Sequence, residues 1–221
     1  HHLKLNESKT EFLVLSNKSS AHQVQCPKLE VCGHTVSRSN STRNVGVIIG
    51  SNLTMEAHVR NVCHRAYGQL HCIAKVKKFL DARSLESVIH AFVTTRPDYC
   101  NSILCGVSKS LKQQLQRVQN SAARLLTNTR KRDHITPVLY SLHWLPVERR
   151  IEFKVRVLTY KCVHGLAPFY LSDSIQPYSP VCGLRSADQS LLHIPFTTSE
   201  TVKNSAFSFI GPSLYYNQLP C

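Results

Sequence analysis

The chain has 221 residues, enough for one large domain or two small ones, each with a real core. It carries 27 basic against 13 acidic residues, a net charge of +14, and a further 12 histidines. An excess of that size points to an anionic partner, nucleic acid being the commonest, and no apolar run approaches the roughly 20 residues that a membrane span requires.

Residues 1 to 50 read as β-rich. Glu11 to Leu15 is a strand-like run, Leu29 to Val36 around Gly33 reads as a hairpin, and Val45 to Ile49 is a further β-branched strand closed by Gly50-Ser51-Asn52. The Ser/Asn-rich stretch Ser37 to Thr42 reads as a loop. From residue 54 the hydrophobic period changes to 3.6. Val59, Cys63, Ala66, Leu70 and Ile73 share one face of a helix running to about Leu80. Asp81 and Ser84 are cap candidates for a second helix built on Leu85, Val88, Ile89, Phe92 and Val93 and interrupted near Pro97, with Tyr99 to Leu104 resuming it. A third helix, from about Ser110 to Thr127, buries Leu111, Leu115, Val118, Ala122 and Leu125. The fourth, Val147 to Val163, turns Val147, Ile151, Val155, Leu158 and Cys162 inward and ends at Gly165. Past Pro168 the period is lost, and short helical and extended pieces are expected to pack on the bundle. The fold class is therefore α+β, strands first and a helical bundle after.

The chain opens His1-His2-Leu3-Lys4 without a secretory leader, and its single methionine is Met55, so the N-terminus reads as the cut edge of something longer. Nine cysteines (Cys26, Cys32, Cys63, Cys72, Cys100, Cys105, Cys162, Cys182 and Cys221) stand at irregular spacings with no CxxC, which supports neither a zinc ribbon nor a redox pair. Reduced thiols in a nuclear or cytoplasmic protein that is not secreted are expected. The sequons at Asn6, Asn17, Asn40 and Asn52 then carry little weight.

Positive charge falls in rows. At about 100° per residue, Arg60, His64, His71, Lys75 and Lys78 share a stripe on the first helix, and Arg117 and Arg124 line up on the third. The run Arg130-Lys131-Arg132 follows. On the fourth, Arg150, Lys154 and Lys161 flank the apolar seam while Arg149 and Arg156 lie behind, near Phe153 and Tyr160. Charged rows are usually solvated faces, but solubilising faces mix both signs, and these contain almost no acid. Rows of one sign suit phosphate contact without base readout. Phe153 and Tyr160 fit either base stacking or a second packing surface. Trp144, the only tryptophan, precedes Leu145-Pro146: a core anchor, with Pro146 suited to open a helix.

His64 and His71, seven residues apart, lie about 10 Å from each other along the axis, too far to share one ion, so no metal site is expected. No Gly-rich phosphate loop, nucleophile elbow or HExxH occurs. Asp98, Asp133 and Asp173 are isolated, whereas two-metal phosphoryl chemistry needs converging carboxylates. Read from its own residues, the chain binds and does not catalyse, and it calls for no cofactor.

Leu3 to Glu11 reads LKLNESKTE, Asn44-Val45-Gly46-Val47 is followed by Ser51-Asn52-Leu53, and Arg96 to Ser102 reads RPDYCNS. These resemble the LKLNxxKTE, NLGV…SNL and RLDYCNS blocks of the reverse transcriptases of LINE-type (non-LTR) retrotransposons, with Pro97 replacing the usual Leu. Leu115 to Arg124 (LQRVQNSAAR), Arg130 to Leu139 (RKRDHITPVL), the LHWLPVERRIEFKV stretch and His164 to Pro168 are similar too. So are Ser208-Phe209, Gly211-Pro212 and Leu219-Pro220, against the closing SFSxxAPxLWNxLP pattern.

The resemblance implies residues 1–53 as the end of a palm with a primer-grip-like hairpin, 54–168 as a helical thumb-like bundle, and 169–221 as a post-thumb segment. It implies a fragment of an RNA-directed DNA polymerase that binds template–primer nucleic acid, an RNA–DNA duplex, by its backbone. The implied nucleic-acid-binding residues are Arg60, Lys75, Lys78, Arg117, Arg124, Arg130, Lys131, Arg132, Arg149, Arg150, Lys154 and Arg156, with Lys9 on the pyrophosphate side. The family's metal-binding aspartates are expected upstream, so Mg²⁺ belongs to the intact enzyme, and the fingers and the rest of the palm are implied partners. The rival reading is a non-catalytic protein-interaction module or a functionless relic of a retroelement. An unrelated DNA-binding bundle is disfavoured by the lack of a helix-turn-helix motif.

Overall fold

The computed structural model describes residues 6, 9–15, 28–31, 33–179 and 191–216. Leu3, Lys4, Leu5, Glu7 and Ser8 of the first quoted block, the sequon at Asn17, Cys26, Cys32, Cys182, Cys221 and the closing Leu219-Pro220 lie outside the described residues. The fold is mixed α+β, with small sheets followed by helices. The chain divides into two compact units, His1–Val62 and Cys63–Cys221. Their boundary falls inside the first long helix, nine residues beyond the 53/54 change of period.

In the first unit β1 (Phe12–Leu13) runs parallel to β3 (His34–Ser39), which pairs on its other side with the antiparallel β2 (Lys28–Val31). A separate hairpin joins β4 (Ser41–Asn44) to β5 (Val47–Gly50). The expected loop at Ser37 to Thr42 is therefore wrong: Ser37 pairs with Lys28, Ser41 with Gly50, and only Asn40 lies between the strands. Serine and asparagine favour turns through their side chains, but here the backbone finds ladder partners. The Glu11 carboxylate adds to this by accepting from the Thr42 hydroxyl and the Arg43 amide. Val45 is not a strand residue either. With Gly46 it forms the two-residue turn, at φ 45° and 83° respectively, the double positive φ that matches strand twist and that a β-branched residue adopts only under strain.

α1 (Glu56–Val76) starts in this unit and places His58 beneath β5. His58 is buried, and its Nδ1 accepts the Ile48 amide at 3.4 Å. An accepting ring nitrogen must be unprotonated, and burial, with Arg43 adding to it, holds the His58 pKa below its ordinary value.

The second unit takes the rest of α1, where Cys63, Ala66, Leu70 and Ile73 are all buried, as their spacing predicts. A 3-10 turn, Lys77–Phe79, follows. The Lys77 ammonium bonds the Leu125 carbonyl and the Asn128 side chain, at the C-terminal end of α4 (Lys109–Thr127), where a cation meets the negative end of the helix dipole. α2 (Ala82–Ile89) swells into a π turn at His90–Thr94 and continues as α3 (Thr95–Asp98). Pro97 lies inside α3, and the helix ends one residue later at Asp98, as the expected interruption near Pro97 requires. The side chains of Thr94, Thr95 and Arg96 donate back to the carbonyls of His90, Ala91 and Phe92. The extra residue in the π turn also buries Leu85, Ile89, Val93 and Pro97 at intervals of four, and leaves Phe92, expected inside, 50% exposed. Cys100, at φ 52°, ends the run, and a 3-10 turn at Asn101–Leu104 replaces the expected resumption.

α4 buries Leu115, Val118 and Ala122 as predicted, with Leu111 and Leu125 half-buried. α5 (Ile135–Ser141) was not legible in the periodicity. α6 (Val147–Val163) has the expected bounds. Its end is set by Gly165 at φ 67°: Leu166 N donates to Lys161 O at 2.8 Å and Gly165 N to Cys162 O at 3.3 Å, closing the last turn. α7 (Phe169–Ser172), α8 (Glu200–Ser205) and α9 (Phe207–Tyr216) complete the unit, with α7 and α9 both packed on α6. On α6 it is Thr159 that is fully buried, while Leu158 is half-buried. α9 explains the exchange. A Cβ on Gly211 would stand 2.8 Å from Thr159 Oγ1, so only a small side chain fits, and the Thr159 hydroxyl is satisfied by Val155 O at 3.0 Å.

Because the folded-state pKa of His58 lies below the ordinary value of 6.5, the unfolded chain binds this proton first. The stability it contributes is full above about pH 6.5 and is lost as pH falls from there toward the depressed folded value. His58→Gln keeps an acceptor without a titrating group. Denaturant melts at pH 7 and pH 5 are expected to show a smaller acid-induced loss in the variant, and equal losses would refute this role.

Candidate nucleic-acid interface

The corner before α6 is built by two helix ends. α5 closes with His143 at φ 55°, its amide donating to Tyr140 O at 3.0 Å, while Trp144 N reaches back to Leu139 O at 2.8 Å. This is a left-handed C-terminal cap, in which the residue after the left-handed one packs against the last turn. The sequence satisfies it with Trp144 on Leu139, both buried. The indole also meets the His90 imidazole, ring centroids 5.1 Å apart and tilted by 60°. Trp144 is thus a core residue, and its place follows from the cap as much as from its own size. Pro146 sits just outside α6 with ψ 149°, and its carbonyl starts the ladder by accepting from Arg150 N at 3.0 Å.

A polar junction holds this corner to α4. Gln119, buried, donates from Nε2 to Leu145 O at 2.9 Å, and Arg150 Nε donates to the same oxygen at 2.9 Å. Gln116 Oε1 accepts the Val147 amide at 2.9 Å, taking one of the donors that a helix start leaves open. Gln116 Nε2 in turn bonds Gln119 and Asn120. The other end of Arg150 reaches Asp98 Oδ2 at 2.5 Å. Burial pushes the Asp98 carboxyl above its ordinary range, and the Arg150 guanidinium and His90 pull it back only in part. Sequence reading missed this junction because glutamines on a helix give no period, their partners on the corner lie 26 and 31 residues away, and Asp98 lies 52 from Arg150.

The junction sorts the expected phosphate contacts. Arg150 is half-buried and bonded on two sides. Arg124 donates to Arg130 O at 3.3 Å and Asp133 O at 3.0 Å, so it holds the loop carrying Arg130, Lys131 and Arg132. Arg149 pairs with Glu152 at 2.9 Å. Arg156 is half-buried. Lys78 lies over the Phe79 ring, 4.8 Å from its centre. Among the described residues Lys75, Arg117, Lys131, Arg132 and Lys154 are exposed and form no ion pair, as does Arg60 in the first unit. Lys9, also in the first unit, is exposed, and its amide donates to Asn6 O.

A groove of about 720 Å³ runs between α4, α5 and the corner. Ile135, Leu139, Leu145 and Pro146 give it an apolar floor, and Gln113, Asn120 and Tyr140 stand along it. Lys112 at its rim is paired with Glu148 at 3.2 Å. Among the described residues no three His, Cys, Asp or Glu side chains gather as metal ligands, and no helix is long and apolar enough to cross a membrane. The described cysteines are all free, and burial raises the pKa of the Cys63, Cys105 and Cys162 thiols. Compared with known proteins, the chain matches no family model, no curated protein and no solved structure.

Trp144→Ala is expected to cost on the order of 3–5 kcal/mol, since it empties a buried site between Leu139 and His90. Thermal melts read this directly. An unchanged melting temperature with lost nucleic-acid binding would instead make the indole a ligand-stacking group.

Proposed function

We propose that this chain is a fragment of a LINE-type reverse transcriptase whose helical unit, thumb-like in role, grips a template–primer duplex by its phosphate backbone. The observation that carries the reading is the set of unpaired, exposed cations on that unit, Lys75, Arg117, Lys131, Arg132 and Lys154, in a chain of net charge +14. Cations without internal acidic partners can displace condensed counterions from a duplex, and they read no sequence. The junction adds support of another kind. Asp98, Gln116, Gln119 and the Trp144 to Arg150 stretch come from three separate blocks of the resemblance, and one hydrogen-bonded cluster joins them. On this reading the first unit is the end of a palm with a primer-grip-like hairpin. The chemistry of nucleotide addition belongs to the intact enzyme and its Mg²⁺.

A second reading, a protein-interaction module, is favoured by the groove, whose Tyr140 and Leu145 are 83% and 47% exposed.

Salt dependence separates the two. Each true phosphate contact contributes about 0.9 to the slope of log affinity against log salt. Replacing Arg117, Lys131 and Arg132 together by Gln is expected to lower that slope by roughly two to three on an RNA–DNA hybrid, with the melting temperature retained. Arg124 is a poorer probe, because its loss also frees the Arg130 to Asp133 loop. Fluorescence anisotropy at several salt concentrations measures the slope. Binding that ignores salt, or a slope unaltered in the triple variant, would remove the duplex-gripping role and leave the interaction module.

A further inference from the structure

The outward face of α6 carries a second pattern. At about 100° per residue, Arg149, Phe153, Arg156, Tyr160 and His164 fall along one side of this helix, opposite the buried row of Val147, Ile151, Val155, Thr159 and Cys162. Phe153 is 62% exposed and Tyr160 48%. Large aromatic side chains on a solvated helix face cost apolar hydration that nothing in the described unit relieves. Tyr160 rests against the His164 imidazole, ring centroids 4.1 Å apart, which restrains its orientation. Lys154 and Lys161 are exposed and lie to one side of the rings, about 100° round the helix, between them and the apolar seam. The two acids of α6 are already matched, Glu148 by Lys112 and Glu152 by Arg149. The face is therefore aromatic and cationic with no acidic side chain unmatched.

We propose that the Phe153–Tyr160–His164 face of α6, with Lys154 and Lys161 along one side of it, is a stacking platform for single-stranded nucleic acid. The charge of this face excludes another basic surface as its occupant, a second copy of this chain included. Its exposed rings need flat apolar faces, which unpaired bases offer and a duplex keeps inside its stack. Phe153 and Tyr160 stand about 10 Å apart along the helix, so each ring takes a different base while the lysines meet the linking phosphates. Lys154 is common to this face and to the duplex reading, but the rings are not, so the ring variants test the platform without touching the α4 and loop cations.

The test is fluorescence anisotropy of the whole chain with three probes: a single-stranded RNA 12-mer, a 12-mer of the same length without bases, and an RNA–DNA hybrid. Phe153→Leu and Tyr160→Leu keep apolar bulk and helix propensity while removing the π face. Each is expected to weaken binding of the RNA 12-mer by roughly 5- to 150-fold, with hybrid and base-free affinities within about twofold of the parent. Tyr160→Phe, which keeps the ring, should retain binding. Losses of equal size on the base-free strand would mean phosphate contact alone and overturn the proposal. Unchanged RNA affinity in both Leu variants would also overturn it and leave the rings to a protein partner. A lost salt slope on the hybrid in the Arg117, Lys131, Arg132 variant bears on the duplex reading and not on this one.

Discussion

The Leu145 carbonyl accepts two hydrogen bonds, one from the buried Gln119 of α4 and one from the Arg150 guanidinium of α6, and the helical unit is organised about that oxygen. Arg150 continues to Asp98 at the end of α3, and Gln116 caps the first amide of α6. A buried amide or carbonyl without a partner costs about 1–3 kcal/mol, so each member of this cluster constrains the next. Moving α6 along its axis would leave Leu145 O, Gln119 and the Val147 amide unpaired together. The register of three helices is thereby set by polar contacts that apolar packing alone would leave loose.

Trp144 is seated by the same corner. Its amide closes the α5 cap, its ring fills the space by His90, and the next two residues reach Gln119 and launch α6. The amphipathic character of α6 follows. One side is fixed by the cap, the junction and the approach of α9 at Gly211, and the other is released to solvent with its rings and cations. A helix held so firmly on its inner face can present Phe153 and Tyr160 at low entropic cost to whatever they meet.

Much of the helical half was legible in the sequence. The α1 stripe from Val59 to Ile73 is buried residue for residue, and α6 begins and ends where Pro146 and Gly165 mark it. The errors share a cause. Ser37 to Thr42 looked like a loop by composition, Leu158 looked inward by period, and Phe92 looked buried because a π turn leaves no trace in an apolar pattern. The expected interface was legible as a set of charges but not as a set of contacts. Arg124 shares a row with Arg117 on a helical wheel, yet it is bonded within the chain while Arg117 is exposed.

By itself the sequence determined the order of strands and helices, the inner face of α1 and most of α4 and α6, and the excess of positive charge. These depend on local spacing, and hydrophobic periodicity is written within a few turns of chain. Only the tertiary structure decided which cations are engaged, why Thr159 and not Leu158 is fully buried, and how Gln119 and Asp98 meet the corner at Leu145 and Arg150. The junction depends on partners 26 to 52 residues away in the chain, and a hydrogen bond over that distance follows from how whole helices pack.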